Sequence, residues 1–155
     1  MGEDNIWEYA PVSQSLGALP TTVSAKLKFI KENSGQMWAP SIGFLFEDEA
    51  TEKALRVWIV YSTQLDPVHY IVVERVDRND AKRPVRTIAE QNLTSVRTST
   101  LPIRFELDAS GKLTIHASSF NHGYALGFAP AHVFVAAVSA RGWVEFDEAP
   151  SQPSN

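Results

Sequence analysis

The chain has 155 residues, 44% of them hydrophobic, a formal net charge of −4 at pH 7 and no cysteine. That length buries one core and does not need two, so the composition supports a single domain over residues 1–150 and a polar tail, expected to be disordered, over 151–155. Interspersed charges of net negative sign repel phosphate backbones and anionic lipid surfaces, which argues against nucleic acid and membrane partners, and without cysteine there is no disulfide, thiolate metal site or thiol nucleophile.

The acidic start Met1-Gly2-Glu3-Asp4-Asn5 is followed by no apolar run of the about 7–15 residues a secretory signal needs, and no window approaches the ~20 of a membrane span. A cytoplasmic location is therefore expected, with export left open. After a short apolar start at 6–9 and a loop at 14–22 containing Gly17 and Pro20, Val23, Ala25, Leu27 and Phe29 alternate with Ser24, Lys26 and Lys28, the pattern of a strand with one wet face. Residues 32–40 are turn-rich, and 42–46 are apolar on both faces. Residues 48–54 have some helix propensity but read as a hairpin connection, because Leu55, Val57, Ile59 and Tyr61 then alternate with Arg56, Trp58, Val60 and Ser62 in a β-branched and aromatic run.

Leu65-Asp66-Pro67 is a turn and residues 68–76 are a further strand, followed by a charged loop at 77–84 and a short strand at 85–89. Residues 91–100 read either way. Ile103, Phe105 and Leu107 oppose Arg104 and Glu106; past the turn Asp108-Ala109-Ser110-Gly111, Leu113, Ile115 and Ala117 oppose Thr114 and His116. Gly111 supplies the positive φ such a turn commonly needs. A long glycine-containing connection over 118–130, with a short strand expected at 124–128, leads to 133–138, apolar on both faces as a central strand is, and to 142–146, where Val144 and Phe146 alternate with Trp143 and Glu145.

About ten strands, little helix and frequent turns predict an all-β, two-sheet antiparallel β-sandwich, with under about a tenth of the chain helical. The strand at 23–30, the glycine-containing apolar strand at 41–46, the hairpin through Gly111 and the closing Val144-Glu145-Phe146-Asp147 strand together resemble the concanavalin A-like lectin/glucanase superfamily, a jelly-roll sandwich. The resemblance covers about four-fifths of the chain and implies carbohydrate binding or glycan hydrolysis on one sheet, an implication that comes by analogy with the fold.

No catalytic motif, metal site or cofactor is expected. Glu47, Glu49 and Glu52 have a spacing similar to the E-x-D-x-x-E strand of laminarinase-type glucanases, but retaining chemistry needs two carboxylates about 5–5.5 Å apart on one face of a strand anchored by apolar alternates, and Asp48, Ala50 and Thr51 are no such anchor. A solvated acidic turn is the expectation. Histidines 69, 116, 122 and 132 lack the close pair spacings of metal sites, with His116 and His122 the pair a following loop could bring together. Arg75, Arg78, Lys82, Arg83 and Arg86 cluster around Asp77 and Asp80, as a solvated loop does or as a site for a sugar phosphate or sulfate does. There is no G-x-S-x-G elbow.

Trp58 and Trp143 fall opposite the apparent core faces of their strands, beside Arg56 and Glu145. Either a sugar stacks on these rings or a second layer or subunit covers them. Three readings remain open. The leading one is a non-enzymatic carbohydrate-binding sandwich in which Arg56, Trp58, His116 and Trp143 touch the ligand and Trp58→Ala leaves stability nearly unchanged. The second is a glycoside hydrolase or lyase using Glu74 with Glu106 or Glu145, and the third a structural or oligomerising interaction module whose exposed apolar face binds another protein or, as a homo-oligomer, a second copy.

Overall fold

A computed structural model describes residues 8–29, 41–48, 50–61, 69–93, 100–138 and 142–146. Among them run eleven strands and no helix: Glu8–Ser15 (β1), Thr21–Phe29 (β2), Ser41–Asp48 (β3), Lys53–Tyr61 (β4), His69–Asp77 (β5), Val85–Asn92 (β6), Thr100–Leu107 (β7), Lys112–Ala117 (β8), Phe120–Ala125 (β9), His132–Val138 (β10) and Gly142–Phe146 (β11). They build a six-stranded sheet in the order β1-β10-β3-β4-β5-β6 and a five-stranded sheet in the order β11-β2-β7-β8-β9, every neighbouring pair antiparallel. This is the expected two-sheet sandwich. The proposed tail at 151–155 lies outside the described residues.

Local order and long-range order divide cleanly. Strands β3 to β6 and β7 to β9 are meanders of adjacent hairpins, whereas β1 pairs with β10 and β2 with β11, joining the two ends of the described chain in both sheets. Closing those pairs costs loop entropy that only the assembled core repays.

The two inner faces meet as period-two alternation requires. Phe105 of β7 inserts between Phe44 and Phe46 of β3, with ring centroids 4.9 and 5.0 Å apart and tilted to edge-on geometries. Ile115, Val135, Leu27, Val57 and Ile71 are buried in the same cluster, and Phe146 packs against it half-buried. The two stretches apolar on both faces are interior strands, β3 between β10 and β4, and β10 between β1 and β3.

Side-chain chemistry sets the turns. β3 and β4 are joined as the expected hairpin, with Asp48 Oδ1 accepting the Ala50 N–H (3.1 Å), Asp48 Oδ2 accepting the Thr51 hydroxyl (2.7 Å), and Glu52 in the left-handed region at φ 57°. At the β7–β8 turn, Asp108 Oδ1 accepts the backbone N–H of Ser110 and of Lys112 (2.9 Å each) and the Ser110 hydroxyl (2.6 Å), while Gly111 takes φ 84°. The Ser110 hydrogen bond and the Lys112 N–H hold the Asp108 carboxyl below its ordinary range.

Three elements differ from their expected bounds. β1 continues through Pro11 to Ser15, because it is an edge strand whose register slips between Tyr9 and Ser13, where a missing N–H costs no ladder bond. β6 runs on to Asn92 although its side chains are mostly exposed, and a bulge at Val73/Glu74 breaks the alternation that would have marked it. The strand expected at 124–128 lies instead at 120–125, since Ser118 and Ser119 make a two-residue turn with Ser118 at φ 54°, a turn with no glycine or asparagine to announce it.

Candidate functional site

The alternation of β4 buries Leu55, Val57 and Ile59 and turns Arg56 and Trp58 to the outer face of the six-stranded sheet. In register, Arg56 stands between Leu45 and Glu74, and Trp58 between Gly43 and Val72. Arg56 Nε lies 3.0 Å from Glu74 Oε1, with the two side chains only 16% and 15% exposed. The Arg56 guanidinium carbon also sits 5.4 Å from the centroid of the Trp58 ring.

Trp58 is outward from the core but is no open platform. It is 4% exposed within the single chain, and its ring lies across Gly43, where a Cβ would fall 2.6 Å from Trp58 Cε3. Glycine at 43 is what allows the ring to lie flat on the neighbouring strand. The ring supports Arg56 and packs on backbone, so its burial needs no second subunit, and Trp58→Ala is now expected to destabilise the fold.

Beside this pair, β5 and β6 contribute Tyr70, Val72 and Glu90. Tyr70 is half-buried and hydrogen-bonds Glu90; burial first, then that hydrogen bond and the glutamate charge, push the phenol above its ordinary value. Tyr70 and Glu90 were not among the expected site residues. The available signal was the alternation of 70, 72 and 74, which puts Tyr70 on the face of Glu74.

His116 and Trp143 belong to the other sheet. His116 pairs in register with Arg104 on the outer face of the five-stranded sheet, its Nε2 3.2 Å from Glu106 Oε2, while Arg104 Nε is 3.1 Å from Glu106 Oε1. Trp143, on β11, pairs in register with Lys28 of β2, and its side chain lies outside the described residues. The sandwich thickness separates His116 from Arg56 and Trp58, so these residues cannot touch one small ligand together.

The same register argument separates other expected partners. His116 stands opposite Asn121 and His122 opposite Ile115, so the two histidines take opposite faces of adjacent strands; His122 instead packs edge-on to Phe120, centroids 4.7 Å apart. Glu74 faces outward on one sheet and Glu106 and Glu145 on the other, so neither makes a catalytic pair with Glu74. Glu47, next to the last residue of β3, has its Oε2 3.5 Å from Arg78 Nη2, Glu52 occupies the turn, and Glu49 lies outside the described residues. Among the described residues no three histidine, aspartate or glutamate side chains converge as a metal site requires.

No family model and no curated protein matches the chain. Solved structures do. The carbohydrate binding module CBM66 from Bacillus subtilis aligns at 11% identity with a TM-score of 0.54, over 90% of this chain and 76% of that one. CG-16, a homodimeric agglutinin from chicken liver, aligns at 9% identity and a TM-score of 0.56, over 92% of this chain and 100% of its own. Sheep galectin-11, in complex with glycerol, aligns at 12% identity and a TM-score of 0.53, over 89% and 94%. These likenesses are of fold alone, and they agree with the fold-level resemblance read from the sequence.

Proposed function

We propose that the protein is a non-enzymatic carbohydrate-binding sandwich whose ligand lies across β4, β5 and β6 on the outer face of the six-stranded sheet. The observation that carries this reading is the Arg56–Glu74 pair, 3.0 Å apart, shielded from water and borne on two rigid adjacent strands. A sugar hydroxyl both donates and accepts, so a guanidinium donor fork beside a carboxylate acceptor matches it, and low solvent exposure strengthens each bond. Tyr70 and Val72, half-buried on the same face, supply apolar surface for the C–H side of a pyranose. In this reading Trp58 fixes the Arg56 guanidinium from below, and Arg56 is the direct contact. The similar proteins, described as a carbohydrate binding module and an agglutinin, support the ligand class by analogy of fold.

A glycan array followed by titration of tyrosine and tryptophan fluorescence tests the reading. We expect saturable binding that Glu74→Gln abolishes and that Arg104→Ala, on the opposite sheet, leaves intact. A flat response across the panel from folded protein overturns it. Light scattering on the same samples reports whether the chain self-associates, as the similar agglutinin does.

A further inference from the structure

At one end of the sandwich the core-side face of β4, β5 and β6 runs on past the apolar core as Lys53, Arg75 and Arg86, and with Arg83 from the β5–β6 loop these line a cleft of about 300 Å³ closed by Leu126 and Phe128. Small-molecule sites begin at about that volume. Four cations share this space with two carboxylates, Asp77 and Asp80. Asp80 Oδ1 is occupied by the backbone N–H groups of Lys82 (3.1 Å) and Arg83 (3.0 Å), and Asp77 Oδ1 by that of Asn79 (3.0 Å). Among the described residues neither carboxylate forms an ion pair with the cations, and the side chains of Arg83 and Arg86 hold no hydrogen bond.

Arg75 and Arg86 are direct cross-strand partners, an arrangement of like charges that destabilises a sheet. The scaffold nevertheless holds it rigidly. Arg75 Nη2 reaches across to the Ala125 carbonyl at 2.8 Å, Asp77 N–H donates to the Pro84 carbonyl at 2.8 Å to close the loop, and Leu126 N–H donates to the Gly111 carbonyl at 2.9 Å to fix the apolar wall. Of the basic residues expected to cluster, Arg78 turns away to Glu47, while Arg75, Arg83 and Arg86 converge.

From these observations we infer that the cleft is a second, separate binding site, taking the oxyanion of a compact ligand (a sulfate, phosphate or carboxylate group) between Arg75, Arg83, Arg86 and Lys53, with the ligand's apolar side against Leu126 and Phe128. The bound anion neutralises the opposed arginines, so repulsion in the free protein becomes attraction in the complex. The site lies on the face of β5 opposite Glu74 and does not depend on sugar binding there.

Thermal melts and calorimetric titrations with inorganic sulfate, inorganic phosphate and glucuronate, against chloride and neutral glucose at equal ionic strength, test it. The expected result is a saturable rise in melting temperature with at least one oxyanion and none with chloride or glucose; the three anions separate sulfate, phosphate and carboxylate sources. Arg86→Gln should melt at or above the parent without ligand, since repulsion is relieved, and should weaken the anion about tenfold to a hundredfold. Glu74→Gln should bind it as the parent does. Shifts that match chloride, parent affinity in both Arg83→Gln and Arg86→Gln, or loss of anion binding in Glu74→Gln each overturn the proposal.

Discussion

The two outer faces of the sandwich obey the same alternation and each carries an arginine–glutamate pair, yet they differ in solvent. On the six-stranded sheet the Arg56 and Glu74 side chains are 16% and 15% exposed, whereas on the five-stranded sheet Arg104 and Glu106 are 49% and 46% exposed. The cause is the company each keeps. Arg56 and Glu74 sit beside Leu45, Trp58 and Val72, with Thr87 across from Glu74, while Arg104 and Glu106 have Ser24, Thr22, Thr114 and His116 as their outward cross-strand neighbours. An ion pair walled mostly by apolar side chains is desolvated and its geometry is enforced; one among polar side chains stays wet, screened and weak. The outer face of a sheet can thus hold a packed second layer of its own, and Trp58 is the centre of it here.

That contrast is most exposed to failure at Trp58. If the outer layer is packed like a core, Trp58→Ala should cost about 3–5 kcal/mol, as much as Phe105→Ala between the sheets, by chemical denaturation. A Trp58→Ala melt within a degree or two of the parent would break the comparison. A smaller effect, about 1.5–3 kcal/mol, is expected for Glu74→Gln, against at most about 0.2–1 kcal/mol for Glu106→Gln. Equal losses would mean that the two pairs feel the same solvent. Gly43→Ala drives a methyl into the Trp58 ring and should cost about 1–3 kcal/mol, partly recovered when combined with Trp58→Leu; simple additivity of the two changes would deny the contact.

The smallest effect is at the exposed β7–β8 turn. Because Asp108 has its carboxyl pKa depressed in the fold, its stabilisation is present above the ordinary value of 3.8 and is lost as pH falls below it. Asp108→Asn should therefore melt below the parent at neutral pH, with the gap closing under acid conditions. A gap that is constant with pH would remove the charge from the explanation.

Much of the architecture was legible because it is local. The alternations 23–27, 55–59, 103–107 and 113–117 are properties of neighbouring residues, and each became a strand with the expected inward set. Where the reading slipped, the local signal was weak or misleading: Pro11 inside an edge strand, a serine pair in place of a glycine turn, a bulged strand with little burial. The candidate site was only half legible. Alternation turned Arg56, Trp58 and His116 away from the core, but could not say that Gly43 makes a bed for the Trp58 ring or that His116 lies on the far sheet.

By itself the sequence determined the fold class, the inward faces of the long strands and the residues that look outward, since these follow from a two-residue period and turn chemistry. Only the tertiary structure decided which outward residues meet. Glu74 reaches Arg56 from 18 positions away, and the cationic cleft gathers residues 53, 75, 83, 86 and 126 from separate strands and loops. Such meetings depend on strand order and register, and a shift of one residue in either partner would send those side chains to opposite faces of the sheet.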